Sequence, residues 1–163
     1  METREMEEML AQISRLLHRH LVKLGADQED AKDIAQDAIY KWLLYADAVP
    51  PERAPAWMFR VAVNAYYDLC RRRKRHVAVA LDEALLVDSE TPETAVLRAE
   101  AAGRTREALS ALPPRTRDLL LLKYEERLSY AQIAQLLGLP LSHVSTYLHR
   151  ARARYRKAYK EDS

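Results

Sequence analysis

The chain has 163 residues with a net charge of +2, 48% hydrophobic residues, three glycines and a single cysteine. That balance favours helix over sheet and a packed fold over disorder, and lone Cys70 excludes an internal disulfide. No apolar run approaches the roughly 20 residues needed to cross a bilayer, and the acidic start METREMEEML lacks the layout of an export signal, so a cytoplasmic protein without membrane insertion is expected.

The first predicted helix covers residues 3 to 24, with Met6, Met9, Leu10, Ile13, Leu16, Leu17 and Leu21 on one face, and Gly25 ends it. Asp27 is the expected N-cap of a second helix, whose stripe of Ile34, Ala35, Ala38, Ile39, Trp42 and Leu43 runs to about Tyr45. In ADAVPPERAP, residues 46 to 55, three prolines argue against helix and for a stiff loop. A third helix, residues 56 to 74, is expected to bury Met58, Val61, Ala62, Ala65 and Leu69. Its polar face then carries Arg60, Asn64, Tyr67 and Arg71.

Residues 77 to 92 read as a linker. The second half is predicted to form helices at 93 to 112 and 115 to 124, separated by Pro113 and Pro114. Ser129 then caps a short helix burying Ile133, Ala134 and Leu137, Gly138 makes a turn, and Pro140 with Ser142 starts a helix that points Val144 and Leu148 inward. Small Ala134, turning Gly138 and branched Val144 are what a helix-turn-helix requires. The expected fold class is therefore all-α: two small helical domains, residues 1–76 and 93–163, joined by an acidic linker at 77–92, the C-terminal one a helix-turn-helix.

Charge is unevenly placed. Arg60, Arg71, Arg72, Arg73, Lys74 and Arg75 form one basic patch, and Arg150, Arg152, Arg154, Arg156, Lys157 and Lys160 form another. Between them lie Asp82, Glu83, Asp88, Glu90, Glu93 and Glu100. Two basic patches around an acidic connector suit a protein that touches a polyanion at two places. The second helix of a helix-turn-helix enters the major groove, where Ser142, His143, Ser145, Thr146 and His149 would face base edges and Arg150, Arg152 and Arg154 would reach phosphates. In the first half, Asn64 and Tyr67 beside a basic run would suit unstacked bases, since an aromatic ring can stack and an amide can pair. Core burial of Tyr66 and Tyr67 is the alternative, and the residues alone leave both open.

Four stretches, DAKDIAQDAIYKWLLYA, PAWMFRVAVNAYYDLCRRRKR, LDEALL and ALPPRTRDLLLLKYEERLSYAQIAQLLGLPLSHVSTYLHRARARYRK, occur in that order. Together they resemble the successive regions of the extracytoplasmic-function sigma factors of bacterial RNA polymerase, over about residues 5 to 160. The resemblance implies that Asp33, Gln36, Asp37, Tyr40 and Lys41 dock on core RNA polymerase. It implies that Pro51, Glu52 and Arg53, with Asn64 and Asp68, recognise the minus-ten promoter element and capture a flipped base. Arg60, Arg71, Arg72, Arg73 and Arg75 would hold the separating strands. The helix-turn-helix would read the minus-thirty-five element. Members commonly carry a basic residue after the helix valine, where this chain has Ser145, and often a glycine at the position of Ser142, so Ser145 is not given an arginine's guanine-reading role. An anti-sigma factor is the further partner implied, and no cofactor, metal or small-molecule substrate is expected. Two other readings compete with the resemblance. One is a conventional helix-turn-helix regulator with a dimerising N-terminal half. The other is a helical enzyme, against which no His, Cys or Ser is placed beside an activating partner.

Overall fold

The structure is a computed structural model, and it describes residues 2–81 and 91–161. Seven α-helices occur among them: α1 Thr3–Lys23, α2 Gln28–Leu44, α3 Ala54–Arg72, α4 Pro92–Ala111, α5 Pro114–Tyr124, α6 Tyr130–Leu137 and α7 Leu141–Glu161. No strand is present among the described residues. None of these helices is long and apolar enough to cross a membrane. The acids of the expected linker from Asp82 to Glu90 lie outside the described residues.

Local chemistry explains most boundaries. Asp27 caps α2 by accepting from the Asp30 backbone N–H at 2.7 Å, and it satisfies one of the free donors at the helix start. At the end of α1, Gly25 takes a left-handed φ of 102°. The N–H of Ala26 bonds back to the Leu21 carbonyl and that of Gly25 to the Val22 carbonyl, both at 3.0 Å, the double bond of a Schellman cap. Glycine has a second use there: a Cβ on Gly25 would lie 2.7 Å from the Ala78 carbonyl oxygen. The chain after α3 can therefore cross closely over this turn, where Ala80 N–H bonds to the Lys23 carbonyl at 2.8 Å.

The proline segment is more ordered than a plain loop. Pro51–Arg53 forms a 3₁₀ turn, and Pro55 sits within the first turn of α3, where a missing N–H costs nothing because that donor has no helical partner. The Trp42 indole N–H donates to the Val49 carbonyl at 3.0 Å and pins the segment to α2.

The expected core face of α3 needs correction. Met58 and Ala62 are buried as expected, but Val61, Ala65 and Leu69 are only half-buried, whereas Phe59, Val63, Tyr66, Tyr67 and Cys70 are buried. The cause is that α3 is the central helix, packing on α1 and α2 from one side and on α6 from another. A helix with neighbours on two sides buries more than one stripe. In α6 likewise, Leu136 is buried and Leu137 half-buried. The apolar cluster runs without a break from Ile13 and Trp42 through Phe59 and Val79 to Leu121, Ile133 and Leu148.

Substituting Gly25→Ala is expected to destabilise the protein by more than about 1 kcal/mol, because the left-handed φ disfavours a Cβ and the Ala78 backbone must move. Urea unfolding of the variant beside the parent checks this.

Candidate nucleic-acid interface

The helix-turn-helix is built by three local devices. Ser129 and Gln132 form a capping box: Ser129 Oγ accepts from Gln132 N–H at 3.1 Å, and the Gln132 side chain accepts from Ser129 N–H at 2.9 Å. Gly138 ends α6 with φ 66°. Val144, Leu148 and Ala151 then anchor α7 inward. Because these three occupy one face, Ser142, His143, Ser145, Thr146, His149, Arg150 and Arg154 are left exposed on the others. Tyr147, missing from the sequence-based set, is also exposed and packs edge-on against His143 at 5.9 Å. Its spacing of four from His143 is the signal that could have found it. Arg152 departs from expectation. It lies on the side of α7 that faces α5, is half-buried, and donates to the Tyr124 hydroxyl at 2.9 Å. That hydrogen bond, more than any other influence, raises its pKa further, so part of its guanidinium is engaged by the fold.

On α3 the exposed polar groups are Arg60, Asn64, Asp68, Arg71 and Arg72, and the run continues through exposed Arg73, Lys74, Arg75 and His76. Two of these cations are engaged. Arg71 pairs with Asp68 across one helical turn, and Arg73 pairs with Asp30 at 2.7 Å, which joins the end of α3 to the start of α2. The Asp30 hydrogen bond raises the Arg73 pKa. The run itself is turned off the helix by a Schellman cap: Arg75 N–H bonds to the Cys70 carbonyl at 2.8 Å and Lys74 N–H to the Arg71 carbonyl at 3.2 Å. Lys74 takes the left-handed position with φ 52°, where glycine is usual. Ahead of α3, Glu52 and Arg53 are exposed and Pro51 is half-buried.

Tyr67 is the main correction to the expected site. It is 9% exposed, its hydroxyl donates to Asp118 Oδ1 at 2.9 Å, and the Arg117 guanidinium lies 5.3 Å from its ring centre. A base cannot stack on it in this arrangement. Asp118 is also 2.9 Å from His20 Nε2, so one buried carboxylate joins α1, α3 and α5. His20, Arg117 and Asp118 were not singled out from the sequence. His20 falls on the buried stripe of α1 between Leu17 and Leu21, and that placement of a polar residue was the available signal. Arg60, on the same α3 face as Tyr67, reaches to 3.9 Å from where a Cβ on Gly138 would stand.

On α2, Asp33, Gln36, Asp37, Tyr40 and Lys41 are all exposed, with Lys41 paired to Asp37 at 3.0 Å. Leu43, Leu44 and Tyr45 continue this surface as exposed apolar groups. Leu43 is expected on the buried stripe and Tyr45 at the helix end, yet only Trp42 of that segment turns fully inward.

Comparison with known proteins places both halves. The family model for sigma-70 region 2 matches residues 9–76, and that for sigma-70 region 4 matches residues 102–154. The RNA polymerase sigma factor SigV of Bacillus subtilis is 31% identical over 126 residues, 77% of this chain and 73% of that protein. The ECF RNA polymerase sigma factor SigW of Bacillus subtilis is 28% identical over 143 residues, 81% of this chain and 76% of that one. Among solved structures, the sigma factor RpoE in complex with the anti-sigma factor NepR from Bartonella quintana shares the fold. The TM-score is 0.59 at 20% identity, covering 99% of this chain and all of that one.

The Tyr67 phenol is pushed well above its ordinary value of 10.0, first by burial and then by the Asp118 carboxylate, and Tyr66 is raised chiefly by burial. The folded state thus favours neutral phenols. Their stabilisation is intact below the ordinary phenol pKa of 10.0 and is lost as pH rises through and beyond it. In a phenolate absorbance titration, Tyr67→Phe should match the parent near pH 10, because Tyr67 contributes no ionisation there while the chain is folded.

Proposed function

The chain belongs to the extracytoplasmic-function sigma factors of bacterial RNA polymerase, and from that premise we propose the following division of labour among its residues. Residues 1–76 dock on core polymerase and engage the minus-ten element, residues 77–92 connect, and residues 93–163 read the minus-thirty-five element. The polymerase performs the chemistry, and this chain supplies recognition in the cytoplasm, where the polymerase works. The observation that carries this reading is one chain holding an exposed helix-turn-helix reading face and, on α3, an exposed amide followed by a basic run.

At the upstream element, Ser142, His143, Ser145, Thr146 and His149 face base edges, with Arg150 and Arg154 on phosphates. The small neutral groups read by hydrogen bonds and by contact with thymine methyls, while the cations supply affinity common to all sequences. At the downstream element, Asn64 pairs with a base extruded from the non-template strand beside the ordered turn Pro51–Arg53. A preformed turn loses little entropy on capture. Arg60, Arg72 and Arg75 are the cations left for the strand backbone. Arg71 and Arg73 first have to exchange Asp68 and Asp30 for phosphate. The exposed α2 surface of Asp33, Gln36, Asp37, Tyr40 and Lys41 meets polymerase, and Leu43, Leu44 and Tyr45 extend it with the apolar contact that interface centres require. An anti-sigma factor is a further partner, by analogy with the relative bound to NepR.

Transcription in vitro with core polymerase on a promoter library tests this reading, and the absence of polymerase binding at any salt overturns it. Within that assay, Asn64→Ala is expected to lower promoter opening about tenfold or more while leaving duplex binding nearly unchanged. Equal loss in both would remove Asn64 from base capture.

A further inference from the structure

We propose that the cleft between α4, α5 and α7 is a binding site for a small anion with a single apolar tail, of the class of medium-chain carboxylates. The site needs neither polymerase nor DNA, so it stands apart from the sigma-factor reading above.

The cleft arises from how these three helices pack. Pro113 and Pro114 turn the chain between α4 and α5, and α7 packs on both. Where α4 meets α7, Thr105 Oγ1 and the Tyr155 hydroxyl share a hydrogen bond at 3.1 Å, and Tyr159 packs on the Tyr155 ring at 5.9 Å. This polar strut spaces the two helices, and beside it lies a cavity of about 380 Å³. Protein interiors leave few voids larger than a water molecule, so an opening of this size is not ordinary packing. It falls instead within the range of about 300 to 1,000 Å³ typical of small-molecule sites.

The lining has two parts. Leu81, Leu109, Leu120 and Leu121 supply an apolar wall. Water gains little from such a surface, and an alkyl tail laid against it releases that water.

The second part is cationic. Arg152 and Arg156 lie one helical turn apart on α7, and both border the cavity. The Arg152 bond to the Tyr124 hydroxyl at 2.9 Å uses one of the five N–H donors of a guanidinium and leaves others for a ligand. Arg156 is exposed and has no ion-pair partner among the described residues. Glu125, the acid among the lining residues, is answered by Lys23 at 3.4 Å and so does not neutralise the arginines. Like charges at this spacing repel each other, and an anion between them relieves that repulsion. A carboxylate matches the planar fork of a guanidinium.

Wall and cations together define the ligand. A free phosphate would leave the leucines wet, and a neutral lipid would leave the guanidiniums unanswered. None of Ser142, His143, Ser145, Thr146 and His149 borders the cavity, so the ligand and DNA bases do not compete for the same side chains.

Equilibrium dialysis of the full chain against decanoate, kept below its micelle-forming concentration, tests the site. Saturable binding at a single site is expected. Decanol has the same tail without the charge and should bind about tenfold more weakly, while decyltrimethylammonium, with the charge reversed, should not bind. Arg152→Gln and Arg156→Gln should each lower the decanoate affinity about tenfold, the scale of a hydrogen bond to a charged group, and leave decanol binding unchanged. Uptake that does not saturate, equal binding of the three compounds, or an unchanged decanoate affinity in either variant overturns the site. Absence of binding overturns it as well, whether the chain itself fills the cleft or the cleft takes another ligand. If Arg152→Gln fails to fold by circular dichroism, Arg156→Gln, at an exposed position, decides alone.

Discussion

One buried carboxylate organises this molecule. Asp118 is 6% exposed and is reached by the imidazole of α1 and the phenol of α3. Burying a charge without partners costs several kcal/mol, so Asp118 is tolerable inside only while both halves of the chain surround it. Its neighbour Arg117 donates to the Ser110 and Leu112 carbonyls at 3.0 and 3.1 Å, closing the turn between α4 and α5, and its guanidinium also lies over the Tyr67 ring. Both adjacent charges thus meet Tyr67, and Arg117 in addition fixes the C-terminal half internally. Seating Tyr67 on Asp118 also sets the roll of α3, which decides which of its polar side chains remain outside.

Local features were legible in the sequence because their causes are local. The Asp27 and Ser129 caps, the turns at Gly25 and Gly138, and the inward Val144 and Leu148 each follow from groups within a few positions. What escaped was long-range. His20 and Asp118 are 98 residues apart and Tyr67 and Asp118 are 51 apart, and no periodicity announces such a meeting. The single-stripe reading of α3 failed for the same reason. One stripe serves one packing side, whereas α3 has α1 and α2 on one side and α6 on another. Arg73 and Arg152 counted as free cations in a charge map, yet Asp30 and Tyr124, brought in by folding, hold them.

The candidate DNA-reading surfaces differ in how ready they are. The α7 face is preformed on a helix locked by three buried side chains, and it needs no rearrangement to meet a groove. The α3 face is shared with the fold: its cations are partly paired, and its aromatic is spent on the junction. Lys74 carries a left-handed φ without glycine's freedom, a local strain of about 1 kcal/mol that aims the basic run away from the helix axis.

Tyr67 and Asp118 stabilise the protein jointly, across the junction of its halves. A double-mutant cycle in urea, comparing Tyr67→Phe, Asp118→Ala and the pair, measures that joint term directly. A coupling of about 1 to 2 kcal/mol is expected, the scale of a buried hydrogen bond to a carboxylate. Additive single effects, with coupling near zero, would contradict it.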